Sequence, residues 1–243
     1  MDPNQFSGNA YNDVQHRQYN PASVNSNYIA SYMTKVYGWM FLGLSITAVI
    51  AMLVASSPAA ISLFYGTPLF IVLILAQLFL VGFLALRVQH MSSATATAIF
   101  IGYAVLTGIT FSALLLRYTT GSLVSVFGIT AGTFGIMTAV GYFTKQDLTS
   151  FGRIMLMGLI GIILASIVNF FLKSEALYWI ISYVGVAVFV GLIAYDTQKI
   201  KAYALLSNEE DRKKGAILGA LALYLDFVNL FIFLLRLFGG RRN

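Results

Sequence analysis

The sequence predicts an all-α protein, a bundle of seven transmembrane helices. Three observations carry this. Of the 243 residues, 58% are hydrophobic and only 10% charged, whereas a water-soluble domain carries about 25% charged residues. Seven apolar runs reach the roughly 20 residues that a helix needs to cross the hydrocarbon layer. None of them shows sustained period-2 alternation, and each is about twice the length of a barrel strand.

The predicted helices cover 36–55, 68–86, 94–116, 121–143, 154–172, 177–204 and 216–238. Short polar breaks make consecutive helices antiparallel neighbours. The sixth apolar run stops at Tyr195, but Gln198–Leu206 can continue the helix while Lys199 and Lys201 snorkel to the interface. Residues 1–30 differ from the rest. Asn9–Asn27 is rich in Asn, Ser, Gln and Tyr without an apolar period, which predicts a disordered polar tail. No basic start with a short apolar core marks a signal peptide. Residues 31–243 form the transmembrane domain. All four prolines, Pro3, Pro21, Pro58 and Pro68, precede the third span, so the later helices have no proline kinks.

Composition also narrows the chemistry. With no cysteine, disulfides, thiolate metal sites and cysteine nucleophiles are excluded. His16 and His90 are too few for a multi-histidine metal centre, and no histidine lies in a span. Serine or metallo-hydrolysis finds no support. The net charge of +6 orients an apolar chain in a bilayer and does not indicate nucleic acid. Ten Lys/Arg fall in the tail and the loops on its side. Five, Arg117, Lys173, Arg236, Arg241 and Arg242, fall on the other side. This predicts a cytoplasmic N-terminus. The C-terminal arginines disagree with it, leaving a re-entrant last span as the alternative to seven full crossings. Gly128-x-x-x-Gly132 and the series Gly185, Ala187, Gly191 predict close helix packing. The loop Ser207–Lys214, three acids then three bases, reads as a solvated face beside anionic lipid.

Two of the nine acids stand out. Asp226 is the eleventh residue of the last span, where a carboxylate costs about 2.5–3.5 kcal/mol to insert. Such a residue marks a functional site, or else a protonated group bonded to a neighbouring helix. Asp196 follows the sixth apolar run. If the helix continues past it, Asp196 lies about 12 Å from that helix's inner end, and Asp226 about 15 Å from the start of its own. The two carboxylates then face each other at similar depth and titrate as a coupled pair. Arg87, ending the second span, either reaches the same layer or snorkels to the interface. Asn229 shares the face of Asp226. Asn169 and Gln77 are further intramembrane polar groups, either accessory to the site or bonding between helices.

Six segments stand out together: Val36-Tyr37-Gly38-Trp39-Met40, Leu106-Thr107-Gly108, Thr144-Lys145-Gln146-Asp147-Leu148, Asn169 through Ala176, and, most specific, Ala194-Tyr195-Asp196-Thr197-Gln198-Lys199 and Leu223-Tyr224-Leu225-Asp226-Phe227-Val228-Asn229-Leu230-Phe231. On these the chain resembles the Bax inhibitor family of membrane proteins, in particular its bacterial inner-membrane branch. The resemblance runs from about residue 30 to the C-terminus. It implies a seven-helix fold with a central last helix and a pH-sensitive calcium leak. It also implies a sensor made of Asp196 and Asp226 with Arg87 as gate partner. Some members have a glutamate in the second span; here Leu75-Ala76-Gln77-Leu78 has none, so selectivity or conductance is expected to differ. The family is further described as regulating cell death or membrane proteases, which no residue here indicates.

The expected function is a proton-gated calcium leak or transporter rather than an enzyme, without a cofactor and with membrane lipid, calcium and protons as its partners. Calcium takes six to eight oxygens, so Asp196, Asp226, Asn229 and waters make a weak, transient site suited to conduction. One alternative is a non-conducting modulator of a membrane-protein partner such as a protease. Another is an intramembrane aspartyl protease, disfavoured because Leu223-Tyr224-Leu225 stands where glycines belong and no proline follows Pro68.

Overall fold

The computed structural model describes residues 26–242. It is helical almost throughout: α1 Ser26–Ala55, α2 Pro58–Tyr65, α3 Leu69–Arg87, a 3-10 turn Val88–His90, α4 Ser93–Arg117, α5 Thr120–Phe143, α6 Thr149–Leu172, α7 Glu175–Tyr203 and α8 Glu209–Phe238. Among the described residues there is no strand, only an isolated antiparallel bridge between Tyr118 and Arg241. Six helices are individually long and apolar enough to span a membrane. The bent pair α2–α3, 75° at its break, makes a seventh. The polar tail lies outside the described residues except for 26–30, which are helical.

Several helices start earlier than the apolar runs. Tyr32, Met33, Val36 and Met40 are all buried, a stripe at helical spacing that carries α1 back through polar residues to Ser26. α8 starts at Glu209, inside the segment expected to be a solvated loop. Asn208 Oδ1 accepts the Glu210 N–H at 2.9 Å, and Glu209, Glu210 and Asp211 occupy the first turn, where negative charge favours the helix dipole. Nor is this segment fully solvated: Asp211 and Lys214 are buried and paired at 3.8 Å. α8 is continuous over 30 residues, about 45 Å, so the break that suggests re-entrance falls at α2–α3 and not in the last span. Of its apolar window 67% is buried, against 6% for α6, as expected of a central helix.

The chain divides into two compact units. The first comprises residues up to Leu116 with Lys199–Leu221. Here Gly43 lies under the ring of the buried Phe100, and Gly108 against Thr47 and Ile50, bringing α1 onto α4. Thr47 Oγ1 donates to the Ala104 carbonyl at 2.9 Å. α2 starts at an N-cap, Ser57, with Pro58 in the first turn. It is anchored to α4 by the Tyr65 hydroxyl, which donates to the Ile109 carbonyl at 2.9 Å. At the other end, Glu210 Oε1 accepts the Ser93 N–H at 2.7 Å, satisfying a donor at the start of α4. Tyr32 Oη donates to the Arg212 carbonyl at 3.0 Å.

The second unit comprises Arg117–Gln198 and Ala222 onward. Phe227 of α8 meets two rings of α5, Phe127 at 5.4 Å and Phe134 at 5.6 Å between centroids. Phe233 lies tilted against Phe189 of α7, 5.8 Å between centroids, and covers Gly185. Gly191 receives Met155 of α6. Gly185 and Gly191 are therefore packing positions. Gly128 and Gly132 are not: a side chain added at either meets open space, so that spacing reflects glycine's general frequency in membrane helices.

Candidate functional site

Asp196 and Asp226 meet in the second unit. Asp226 is 4% exposed, and the carboxyl of Asp196 lies within interaction range of its own. A hydrogen bond between the two needs a proton, because two bare carboxylates can only accept. The second oxygen of Asp226, Oδ2, is buried without a hydrogen-bond partner. Buried oxygens of this kind call for an explanation in water, an ion or a functional state.

The backbone around the pair is set by close helix contacts. Gly141 of α5 lies against the backbone of Ala194, and Gly152 of α6 lies under the ring of Tyr195. Neither position has room for a Cβ. Together they hold the two residues before Asp196 from two sides. On α8 the flanking residues Leu223, Tyr224 and Leu230 are fully buried and Phe227 nearly so, which fixes the rotation that turns Asp226 inward.

Gln198, two residues beyond Asp196, adds a third restraint. Its side-chain amide donates to the Gln146 carbonyl at 2.8 Å, and its Oε1 accepts the Leu148 N–H at 2.8 Å. The α5–α6 loop is thereby tied to α7. This joins two segments that were singled out separately in the sequence, Thr144–Leu148 and Ala194–Lys199. Sequence reasoning missed the role of Gln198, although its adjacency to Asp196 was the available signal.

Arg87 closes α3 in the first unit, with its side chain exposed. Gln77, also in that unit, donates to Thr110 Oγ1 at 3.0 Å. Asn169 Oδ1 accepts the Ser174 N–H at 3.0 Å and so caps the end of α6, where Lys173 takes a left-handed conformation at φ 50°. Asn229 Nδ2 donates to the Leu225 carbonyl of its own helix at 2.8 Å. Among the described residues no three His, Cys, Asp or Glu side chains group in a way that would hold a metal ion.

A family profile described as "Inhibitor of apoptosis-promoting Bax1" matches residues 29–243. The Escherichia coli (strain K12) protein named inner membrane protein YbhL is 50% identical over 218 residues, covering 88% of this chain and 93% of that protein. An uncharacterised Deinococcus radiodurans protein is 43% identical over 214 residues, 88% of this chain and 92% of its own. An uncharacterised membrane protein of Streptococcus pyogenes is 34% identical over 211 residues, with 86% and 92% covered. With its membrane-spanning helices and its matched length, the chain belongs to the Bax inhibitor family of multi-pass membrane proteins.

Proposed function

We propose that this protein is a pH-sensitive calcium leak channel or transporter of the bacterial inner membrane, gated by Asp196 and Asp226. The observation that supports it is that two carboxyls come within reach of each other at a buried position of a spanning helix. Carrying two acids into a low-dielectric layer is costly, and a chain that needed only packing would place apolar residues there. A carboxyl pair holding one proton is a lock with a chemical key. As pH rises the shared proton leaves, two negative charges repel, and the oxygens become ligands for a cation. Protons and calcium therefore compete for one site.

Two carboxylates are a sparse set for an ion that takes six to eight oxygens. Sparse ligation gives weak binding and quick release, as a conduction path requires. Asn229 lends an accessory oxygen.

Purified protein in liposomes loaded with a calcium dye tests this. Scanned from about pH 5 to 8, flux rises with pH as the coupled carboxyl pair gives up its last proton. Asp196→Asn and Asp226→Asn each flatten the profile. A flat profile common to the wild type and both variants would contradict gating. It would favour a non-conducting modulator of another membrane protein.

A further inference from the structure

The three C-terminal arginines oppose the charge bias of the rest of the chain, and the structure shows what holds them. Gly239 packs against the ring of Tyr118, which is 5% exposed. The Thr119 N–H donates to the Gly240 carbonyl at 3.1 Å, and the Arg242 N–H donates to the Arg117 carbonyl at 2.9 Å. The Gly240 N–H donates to Ser122 Oγ at 2.9 Å. The residues after α8 are thus pinned, antiparallel, to the α4–α5 connection.

This pairing has an electrostatic consequence. The two backbone bonds flank the Tyr118–Arg241 pair, so Arg117 and Arg242 lie directly opposite each other. Their backbones are joined by a hydrogen bond, so two like charges leave the chain at adjacent positions and repel. Both arginines are exposed. Arg241 adds a third exposed cation next in the chain. Arg236 is occupied differently, lying over the rings of Tyr178 and Phe233 at 5.6 and 5.1 Å. Glu175 begins α7, one turn before Tyr178. Among the described residues neither Arg117 nor Arg242 has an ion-pair partner, and Glu175 has none either.

We propose that Arg117 and Arg242 form a clamp for the phosphate of an anionic membrane-lipid headgroup. Guanidinium groups match phosphate oxygens with paired hydrogen bonds. Arg117 ends one spanning helix and Arg242 follows four residues after the end of another, so both stand at headgroup level. A phosphate between them turns the repulsion of opposed cations into two charge-assisted contacts. It also locks the chain after α8, the helix that carries Asp226.

The experiment is thermal unfolding of the detergent-purified full chain, titrated separately with short-chain phosphatidylglycerol, short-chain phosphatidylcholine and inorganic phosphate. Phosphatidylglycerol raises the unfolding temperature at concentrations where the other two do not. Arg117→Gln and Arg242→Gln each shift the titration midpoint roughly tenfold higher, the effect of losing one hydrogen bond to a charged group. Lys145→Gln, an exposed cation of the α5–α6 loop, leaves it unchanged. Arg242→Gln lies beyond the last helix, so it reports even if Arg117→Gln fails to fold. An unshifted midpoint in Arg242→Gln overturns the clamp. So does an equal shift in Lys145→Gln, and an equal response to inorganic phosphate overturns the lipid as its ligand.

Discussion

At the residue scale the decisive features are two carboxyls and two glycines. Asp226 was legible from the sequence because a charge inside an apolar run is costly, and cost is visible without a structure. That it meets Asp196 followed from rise per residue once α7 was continued past Tyr195. The glycines were not legible in the same way. Gly141 and Gly152 decide where Asp196 sits, yet nothing in their neighbours distinguishes them from Gly128 and Gly132, which pack against nothing. Small size is a permission, and only the partner helix shows whether it is used. Gly141→Ala should therefore lower stability by about 1–3 kcal/mol, the range for overpacking a tight contact. Gly128→Ala should leave it unchanged or raise it by up to about 1 kcal/mol through helix propensity. Thermal unfolding of both variants in one detergent checks the contrast; equal losses would mean that the α5–α7 contact is not tight.

At the element scale the helices stand where the apolar runs put them, and the differences lie at their ends. α1 and α8 extend past the hydrophobic segments because Tyr32, Met33 and Val36 bury a stripe, and because the acids of 209–211 suit a helix start. A window that scores hydrophobicity alone misses both, since polar residues alternate with the buried ones. The short helix α2 and its 75° bend into α3 fall in the gap between the first two predicted spans, 36–55 and 68–86. Pro58 after Ser57 was the cap signal, and the anchoring Tyr65–Ile109 bond joins distant residues that no local pattern connects. The α5–α6 loop depends on α7 through both ends of one side-chain amide. Gln198→Ala removes both bonds and leaves the Leu148 N–H without its acceptor. It should cost about 1–3 kcal/mol and loosen Asp196. Faster amide hydrogen exchange at 146–149 than in wild type is the expected sign; unchanged exchange there would show that the loop holds itself.

At the scale of the whole molecule, charge distribution predicts orientation and the acid pair predicts activity. The absence of cysteine allows single-cysteine labelling. Ser207→Cys should react with an impermeant thiol reagent only from the cytoplasmic side, and Lys173→Cys only from the other; the reverse pattern would invert the topology. The family was legible because its two aspartate motifs lie far apart in the chain and both are present. The pinned residues after α8 were not, because the Arg117–Arg242 pairing is a backbone event that leaves no side-chain pattern. The account rests on a proton held between Asp196 and Asp226 and displaced by calcium. Infrared difference spectroscopy of the protein in lipid, with and without calcium at fixed pH, tests that most directly. The account predicts that calcium abolishes a protonated-carboxyl band that is absent from Asp226→Asn. A band that persists unchanged at saturating calcium, or one that Asp226→Asn retains, would contradict it.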